Sequence, residues 1–277
     1  MYKREWTKEL ERKAREEVNE VPEKKEQDVK HITDWLLSQP YLNPRTDREW
    51  ILNYLRGCKF NVQKTKEKLK YLYATKPITP ELYSNRDPLQ PELQQILNKC
   101  IILPHSTKNE ELMIVRWDDS DVSKLSLVNL FKLAFMFMEL TLMESSSYLI
   151  YGYHLMIDFK GFPLSYVRQV SPLFVKKTVY MLVKAYPTRI KGIYLFNTSW
   201  FFPILFGMCK PFLSNKILQR VKIYDNFDLA ELTKYVSIEN VPKEYGGKSE
   251  SVSDIGARWK LHIENHREWF LEEETTK

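Results

Sequence analysis

Apolar residues keep a helical spacing through the first 76 residues of this chain, between polar and charged positions. Thr46 and Glu49 have capping-box spacing, which predicts a helix that begins there and ends near Gly57. Asn61 can cap a second helix, which Pro77 ends. The apolar positions of the two helices are Trp50, Ile51, Tyr54 and Leu55, followed by Val62, Leu69, Leu72 and Tyr73. The pattern predicts a small helical unit at the amino-terminal end.

Strand-like and helical segments alternate from about residue 111. Residues 127–143 contain 13 apolar positions in 17, which predicts an almost wholly buried helix. Ser171 as a cap and Pro172 begin another helix, which runs to about Ala185. Runs of β-branched, aromatic and aliphatic residues predict buried strands at 112–117, 152–157, 193–196 and 221–224. The expected fold is α/β, with a mixed, mostly parallel sheet flanked by helices.

The composition is that of a globular protein in a reducing compartment. The 277 residues are 43% apolar and 13% aromatic, enough for a core without a disulfide or metal staple. Cys58, Cys100 and Cys209 are odd in number and widely spaced, which argues against a disulfide framework and a zinc site. Apolar runs stay shorter than about 18 residues and the first twenty residues are densely charged, so we expect neither a membrane-spanning helix nor a signal peptide.

Charge is unevenly distributed along the sequence. Between Asp158 and Asp225, 66 residues carry eleven basic side chains and no acidic ones. The rest of the chain has 31 basic and 36 acidic residues, so the excess of positive charge belongs to this one stretch. An ordinary solvated face is the simpler interpretation, but the stretch favours an anionic partner.

Residues 200–213, reading WFFPILFGMCKPFL, contain a single charge in 14 positions and are called here the lid segment. Apolar runs of about 10–14 residues are usually core helices and are too short to span a bilayer. The alternative is an apolar lid over a cavity that can meet a membrane surface. Its place inside the acid-free stretch favours the lid.

Enzyme motifs are incomplete. Gly246 to Ser249 resembles the end of a phosphate-binding loop, but Pro242 stands where the first glycine belongs, so a plain loop is expected. His262 and His266 are four apart in HIENH, which is not a zinc-protease motif and is interpreted as two surface histidines. Asp118, Asp119 and Asp158 lie near strand ends, where capping is commoner than catalysis. We therefore predict no catalytic residue, metal or cofactor.

The sequence resembles the CRAL-TRIO lipid-binding family over about residues 30–248. The segments that carry the resemblance are WILNYLRGCKF (50–60), GYHLMIDFKG (152–161), AYPTRIKGIYLFN (185–197), KPFL (210–213) and VPKEYGG (241–247). The resemblance implies a sheet and helices that enclose a hydrophobic cavity, gated by a helix at the lid segment. It divides the chain into an amino-terminal helical domain (1–90), a lipid-binding domain (91–248) and a carboxy-terminal helix (249–277).

The resemblance also implies the site residues. In the branch similar to tocopherol-transfer proteins, a basic cluster beside the gate binds a phosphoinositide headgroup. The matching residues here are Arg189, Lys216 and Arg220, with Lys191 and Lys59 as auxiliaries. Lys216 and Arg220 are four apart, so we expect one helix face to present both.

Two further sets of residues follow from the same resemblance. Predicted pocket residues are Phe131, Ala134, Phe135, Met138, Met181, Tyr186 and Ile193, each of which could equally be ordinary core. The predicted lid residues are Trp200, Phe201, Phe202, Ile204, Leu205, Phe206 and Met208.

The expected function is that of a cytoplasmic carrier, transiently peripheral on membranes, with no chemistry of its own. It would bind a small hydrophobic lipid, such as a retinoid, carotenoid or tocopherol-like molecule, and exchange it at phosphoinositide-containing membranes. Alternatives are a phospholipid transfer protein, a module whose ligand state is read by a protein partner, or an enzyme acting on the enclosed lipid. Nucleic acid is not an expected partner, since no reader motif is present.

Overall fold

A helical block precedes a five-stranded sheet surrounded by helices, and the computed structural model describes residues 6–107, 110–117 and 124–275. The first block comprises α1 (Lys8–Val18), α2 (Pro22–Leu37), α3 (Arg48–Gly57), α4 (Val62–Thr75), α5 (Pro80–Tyr83) and α6 (Pro91–Leu97). The strands are β1 (Ile102–Thr107), β2 (Glu110–Arg116), β3 (Tyr153–Asp158), β4 (Ile190–Phe196) and β5 (Val221–Ile223).

The remaining helices lie between and after the strands. They are α7 (Leu127–Glu144), α8 (Ser146–Tyr151), α9 (Leu164–Gln169), α10 (Pro172–Tyr180), α11 (Phe202–Cys209), α12 (Asn215–Leu218), α13 (Leu229–Thr233), α14 (Val252–Asn265) and α15 (Arg267–Thr275). A π-helical turn, Met181–Ala185, extends α10. Among the described residues, no helix is both long and apolar enough to cross a bilayer.

The sheet has the strand order β1-β2-β3-β4-β5. β1 pairs antiparallel with β2, and every later pair is parallel. This confirms the mixed, mostly parallel sheet flanked by helices that the sequence predicts. β1 itself was not predicted, because Pro104 and the polar positions after it interrupt the strand pattern. Such a sequence is tolerated in β1 because it lies at the edge of the sheet.

Two of the three helix starts that the sequence predicts are confirmed. The side chain of Asn61 accepts a hydrogen bond from the Lys64 backbone N–H at the start of α4. Ser171 caps α10 in the same way, with Pro172 at the first helical position. The predicted capping box at Thr46 and Glu49 is wrong. α3 begins at Arg48, and the Glu49 carboxylate forms an ion pair with Arg48 instead of reaching back to a capping residue.

The two faces of the sheet differ in burial. One face is fully packed, with Leu112, Ile114, Met156, Tyr194 and Phe196 all at 2% exposure or less. On the opposite face, Leu155 pairs in register with Met113 and Ile193, and all three are half-buried. Since these strands are central, partial exposure of aliphatic side chains there means that the face is incompletely covered.

The amino-terminal helices share a core with the sheet domain. One apolar cluster joins Ile32, Trp50 and Leu72 of the first block to Phe135 and Leu142 of α7. At the end of α3 the contact is so close that a Cβ on Gly57 would collide with the backbone of Pro187, just before β4. This contact sets the position of the helical block against the first residues of β4.

Candidate functional site

The lid segment forms α11 and the residues around it. Phe201 and Phe202 are buried and pack with Leu195 of β4, so they attach the segment to the sheet. In contrast, Trp200 is 71% exposed and Ile204 is 51% exposed. Leu205, Phe206 and Met208 are half-buried. α11 is therefore apolar on its exposed side as well as on its inner side, unlike an ordinary core helix.

An open pocket of about 460 Å³ lies at the base of the lid segment, beside the end of β5. Its lining residues are Thr198, Ser199, Trp200, Phe202, Pro203, Phe206, Ile223 and Asp225. A concavity of this size leaves that side of the segment unpacked, so α11 is held mainly through its inner side.

The half-buried face of the sheet lies beneath the lid segment and α10. Met113 and Leu155 are half-buried and pack, with Phe131 of α7 and Phe174 of α10, against one buried apolar cluster. The Phe131 and Phe174 rings meet edge to face, with centroids 5.3 Å apart. Half-buried Ile157 and Ile193 pack, with Leu205 and Phe206 of the lid segment, against the buried residues Leu195, Phe201 and Phe202. The half-buried apolar side chains that the sheet and three helices add to these two clusters are here called the apolar compartment.

Two predicted pocket residues, Phe131 and Ile193, are half-buried and belong to the clusters around the apolar compartment. Ala134 is also half-buried, but it packs against the cluster that contains the fully packed face of the sheet. The other four, Phe135, Met138, Met181 and Tyr186, are buried in a packed cluster. The Phe135 ring stacks between Tyr83 and Tyr186, at centroid distances of 5.7 and 5.6 Å. Whether these residues contact a ligand stays a prediction.

A buried ionic network lies directly behind that aromatic stack. The Glu139 carboxylate contacts Arg86, lies 3.1 Å from Lys76 Nζ and accepts a 2.6 Å hydrogen bond from the Tyr186 hydroxyl. Burial alone would raise the pKa of Glu139, but the charges of Arg86 and Lys76 and the hydrogen bonds lower it to about 2. The carboxylate is ionised, and it joins α7 to the segments before and after α5.

Three of the five predicted basic residues, Arg189, Lys191 and Lys59, lie near one acidic side chain, Glu17 of α1. Arg189 Nη2 donates a 3.0 Å hydrogen bond to Glu17 Oε2, and Lys191 Nζ lies 3.7 Å from the same oxygen. Lys59 adds to the attraction, since it also lowers the pKa of Glu17. The hydrogen bond from Arg189 is the largest cause of that lowered pKa, and burial opposes it. We call Lys59, Arg189, Lys191 and Arg220 the basic cluster.

The members of the basic cluster differ in exposure and in the number of hydrogen bonds that hold them. Arg189 is 11% exposed, and its Nη1 also donates to the backbone carbonyls of Leu149 (2.8 Å) and Ile150 (2.5 Å). Lys191 is 38% exposed. Its pKa is lowered by burial and by the charges of Arg189 and Arg220, although Glu17 opposes that lowering. An anion placed here would relieve repulsion among these cations.

The prediction that Lys216 and Arg220 share one helix face is wrong. α12 ends at Leu218 because β5 begins at Val221, and Arg220 lies in the connection. Its guanidinium donates to the carbonyl of Ile190, so it supports the start of β4. Lys216 is exposed on α12.

Glu17 was missed in the sequence, where it is one of many alternating charges in the first thirty residues. It reaches the cluster because α1 docks on α8, with Leu10, Ala14 and Val18 buried against Ile150. The helical spacing of these three residues indicates that one face of α1 packs against the protein. It does not indicate which part of the protein that face contacts. More than 170 residues separate Glu17 from Arg189, so the pairing exists only in the folded chain.

The residues considered for catalysis take part in hydrogen bonds and turns that support the fold. Asp158 accepts hydrogen bonds from the Lys160 backbone, Asn197 and Tyr245, which occupies both of its oxygens at the end of β3. Gly246 has the left-handed conformation that follows a short 3₁₀ turn, as expected of a loop. Asp118 and Asp119 lie outside the described residues.

Comparison with known proteins gives matches to both parts of the fold. A family model described as CRAL/TRIO domain matches residues 97–247, and one described as Pinta-like, UBA domain, matches residues 21–93. The mouse (Mus musculus) protein named Alpha-tocopherol transfer protein-like is 29% identical over 271 residues, covering 96% of this chain and 77% of that protein. Clavesin-1 of Xenopus laevis is 25% identical over 244 residues, covering 85% of this chain and 71% of that protein. A solved structure described as Crystal structure of Sfh5 has a TM-score of 0.49 and 13% identity, covering 90% of this chain and 99% of that one.

Proposed function

The chain belongs to the CRAL/TRIO family, as its sequence motifs predict, and from that premise we propose that it is an intracellular carrier of a small hydrophobic lipid. The lipid would occupy the apolar compartment beneath α10 and the lid segment. A retinoid, carotenoid or tocopherol-like molecule is the proposed ligand class. The proposal includes no chemistry on the ligand, and it keeps the protein in the cytoplasm except while it docks on a membrane.

The half-buried face of the sheet carries this proposal. Met113, Leu155 and Ile193 are central residues of central strands, yet they remain partly accessible to water. Covering apolar surface is favourable by about 25 cal/mol per Å², or ~0.8 kcal/mol for each CH₂ group. A ligand that shields this face would therefore gain several kcal/mol, and it would leave unaided only slowly. Release of such a ligand therefore requires a membrane or another acceptor that receives it directly.

The lid segment and the basic residues supply a surface that can dock on a membrane while the ligand is released. Trp200 and Ile204 project apolar surface into solvent, which suits the headgroup boundary of a bilayer. Arg189 and Lys191 hold the carboxylate of Glu17, and phosphate oxygens accept charge-assisted hydrogen bonds from the same donors. We propose that a phosphoinositide headgroup takes the place of Glu17 while the lid segment enters the membrane surface.

Solvent extraction of the purified protein followed by mass spectrometry tests the ligand class. A stoichiometric apolar lipid supports the proposal, and a bound phospholipid would favour the phospholipid-transfer alternative. A protein that yields no lipid, and that fails to bind a fluorescent tocopherol analogue or a fluorescent phospholipid, would contradict carriage.

Transfer of the fluorescent tocopherol analogue between vesicles tests the docking step. Lys216→Ala removes a cation that is exposed on α12, and a lysine near an anionic membrane contributes about 1 kcal/mol. Transfer to phosphoinositide-containing acceptors should fall about fivefold, with unchanged binding of the analogue. Lys260→Ala controls for the loss of a positive charge elsewhere on the surface, since α14 packs against β1 at the opposite edge of the sheet from β5. Lys260 pairs with Glu264 at 3.8 Å, so circular dichroism should show that this variant is folded. Equal transfer by the two variants would contradict the docking face.

A further inference from the structure

Three side chains that could bind a metal ion meet where α7 and α14 end. Glu144 is the last residue of α7, His262 lies in the last turn of α14, and His266 follows that helix as its C-cap residue. One Glu144 oxygen lies 2.7 Å from His262 Nε2, and the other lies 2.9 Å from His266 Nε2. The ligand atoms of all three lie within 4.8 Å of one another, and all three residues are half-buried. The cluster is separate from the apolar compartment and from the basic cluster.

Hydrogen bonding fixes the orientation of the His266 ring. Its Nδ1 lies 2.8 Å from the backbone carbonyl oxygen of His262, and a carbonyl can only accept, so Nδ1 carries the hydrogen. Its Nε2 lies 2.9 Å from a carboxylate oxygen of Glu144. A metal ion bound between the two atoms would replace the hydrogen of that contact, since metal binding releases ligand protons. An Nδ1–H directed at a backbone carbonyl is also the usual support of a histidine that ligates a metal through Nε2.

The charge of the ligand set also favours a cation. With neutral imidazoles, the three ligands add one negative charge from Glu144. Two imidazole nitrogens and a carboxylate suit zinc and neighbouring late transition metals better than magnesium or calcium, which prefer all-oxygen sites.

We propose that Glu144, His262 and His266 form a binding site for a divalent transition metal ion, of which Zn²⁺ is the representative, and that the bound ion ties α14 to α7. Three protein ligands leave a further position for water. The HIENH sequence suggested only surface histidines because the third ligand is 118 positions away from His262 and comes from another helix. The site does not depend on the proposed carriage of lipid.

Calorimetric titration with ZnCl₂ tests the site, using protein first treated with EDTA and desalted. We expect one Zn²⁺ per chain and a rise in thermal midpoint with added Zn²⁺. Loss of an outer-shell partner alone costs roughly 10–100-fold in metal affinity. The His262→Ala/His266→Ala double variant should therefore lose at least about 100-fold. The milder Glu144→Gln, which keeps the side-chain shape, should lose at least tenfold.

His31→Ala is the matched control, because His31 is an exposed histidine on α2. This variant should bind Zn²⁺ as the unmodified chain does, and circular dichroism should show all variants folded. Absence of saturable binding would overturn the site. So would equal Zn²⁺ affinity in the double variant and the unmodified chain, since the metal would then be held elsewhere, for instance by the cysteines.

Discussion

The carboxylate of Glu17 occupies the position at which the proposed phosphoinositide headgroup would bind. Glu17→Gln removes its charge but keeps its shape and the docking of α1. A headgroup that enters the basic cluster would then no longer have to break an ion pair with Arg189 and Lys191. We expect the variant to bind phosphoinositide-containing vesicles more tightly than the unmodified chain.

The size of the effect follows from the geometry of the pair. A hydrogen bond to a charged group contributes about 1.5–3 kcal/mol when it is well shielded. Glu17 is 36% exposed, however, and exposed ion pairs contribute only about 0.2–1 kcal/mol. A value of about 1 kcal/mol is reasonable for a pair with one buried partner, and it corresponds to about fivefold in affinity.

Co-sedimentation with phosphatidylcholine vesicles, with and without a phosphatidylinositol bisphosphate, measures this effect. Glu16→Gln is the matched control, because the neighbouring Glu16 pairs with Arg12 on the surface of the same helix. The gain should appear only for Glu17→Gln, only with phosphoinositide, and should shrink as salt is added. Unchanged or weaker binding by folded Glu17→Gln, or an equal gain for Glu16→Gln, would refute the competition.

Two further predictions concern the lid segment and the buried network. Trp200→Ala should weaken vesicle binding roughly tenfold, and it should leave the fold unchanged because the Trp200 side chain is 71% exposed. Leu261→Ala is the control, since it removes an exposed apolar side chain from α14. Equal losses of vesicle binding in the two variants would contradict the prediction. The lowered pKa of Glu139, about 2 against 4.5 in the unfolded chain, means that its stabilisation is complete above pH 4.5 and is lost as pH falls toward 2. In urea unfolding, Glu139→Gln should be less stable at neutral pH and should lose less stability across that window, whereas parallel pH profiles would contradict this.

The sequence predicted those parts of the fold that depend on local pattern. Asn61 and Ser171 cap helices because the capping hydrogen bond is made within three residues. The apolar run at 127–143 forms a buried helix, because a helix that is apolar on all sides is stable only when it is covered by other elements. β1 was missed because Pro104 breaks the local signal, and only pairing with β2 makes that segment a strand.

The candidate site was less predictable because its charges meet through tertiary contacts. Arg189 and Lys191 were identified through the family resemblance, but nothing near them in the sequence indicates Glu17. The four-residue spacing of Lys216 and Arg220 suggested a common helix face, whereas the strand that follows ends the helix between them. Spacing can predict a shared face only where the helix itself continues.

The attachment of α1 has a consequence for the order in which the molecule opens. Its buried residues, Leu10, Ala14 and Val18, meet Ile150 in a small cluster of their own, apart from the larger clusters that join the helices and the sheet. Local unfolding proceeds most easily where few apolar contacts are lost. The amides of α1 should therefore exchange with deuterium well before those of α7. The first partial opening of the native protein would then also be the one that frees Arg189 and Lys191 from their internal counter-ion.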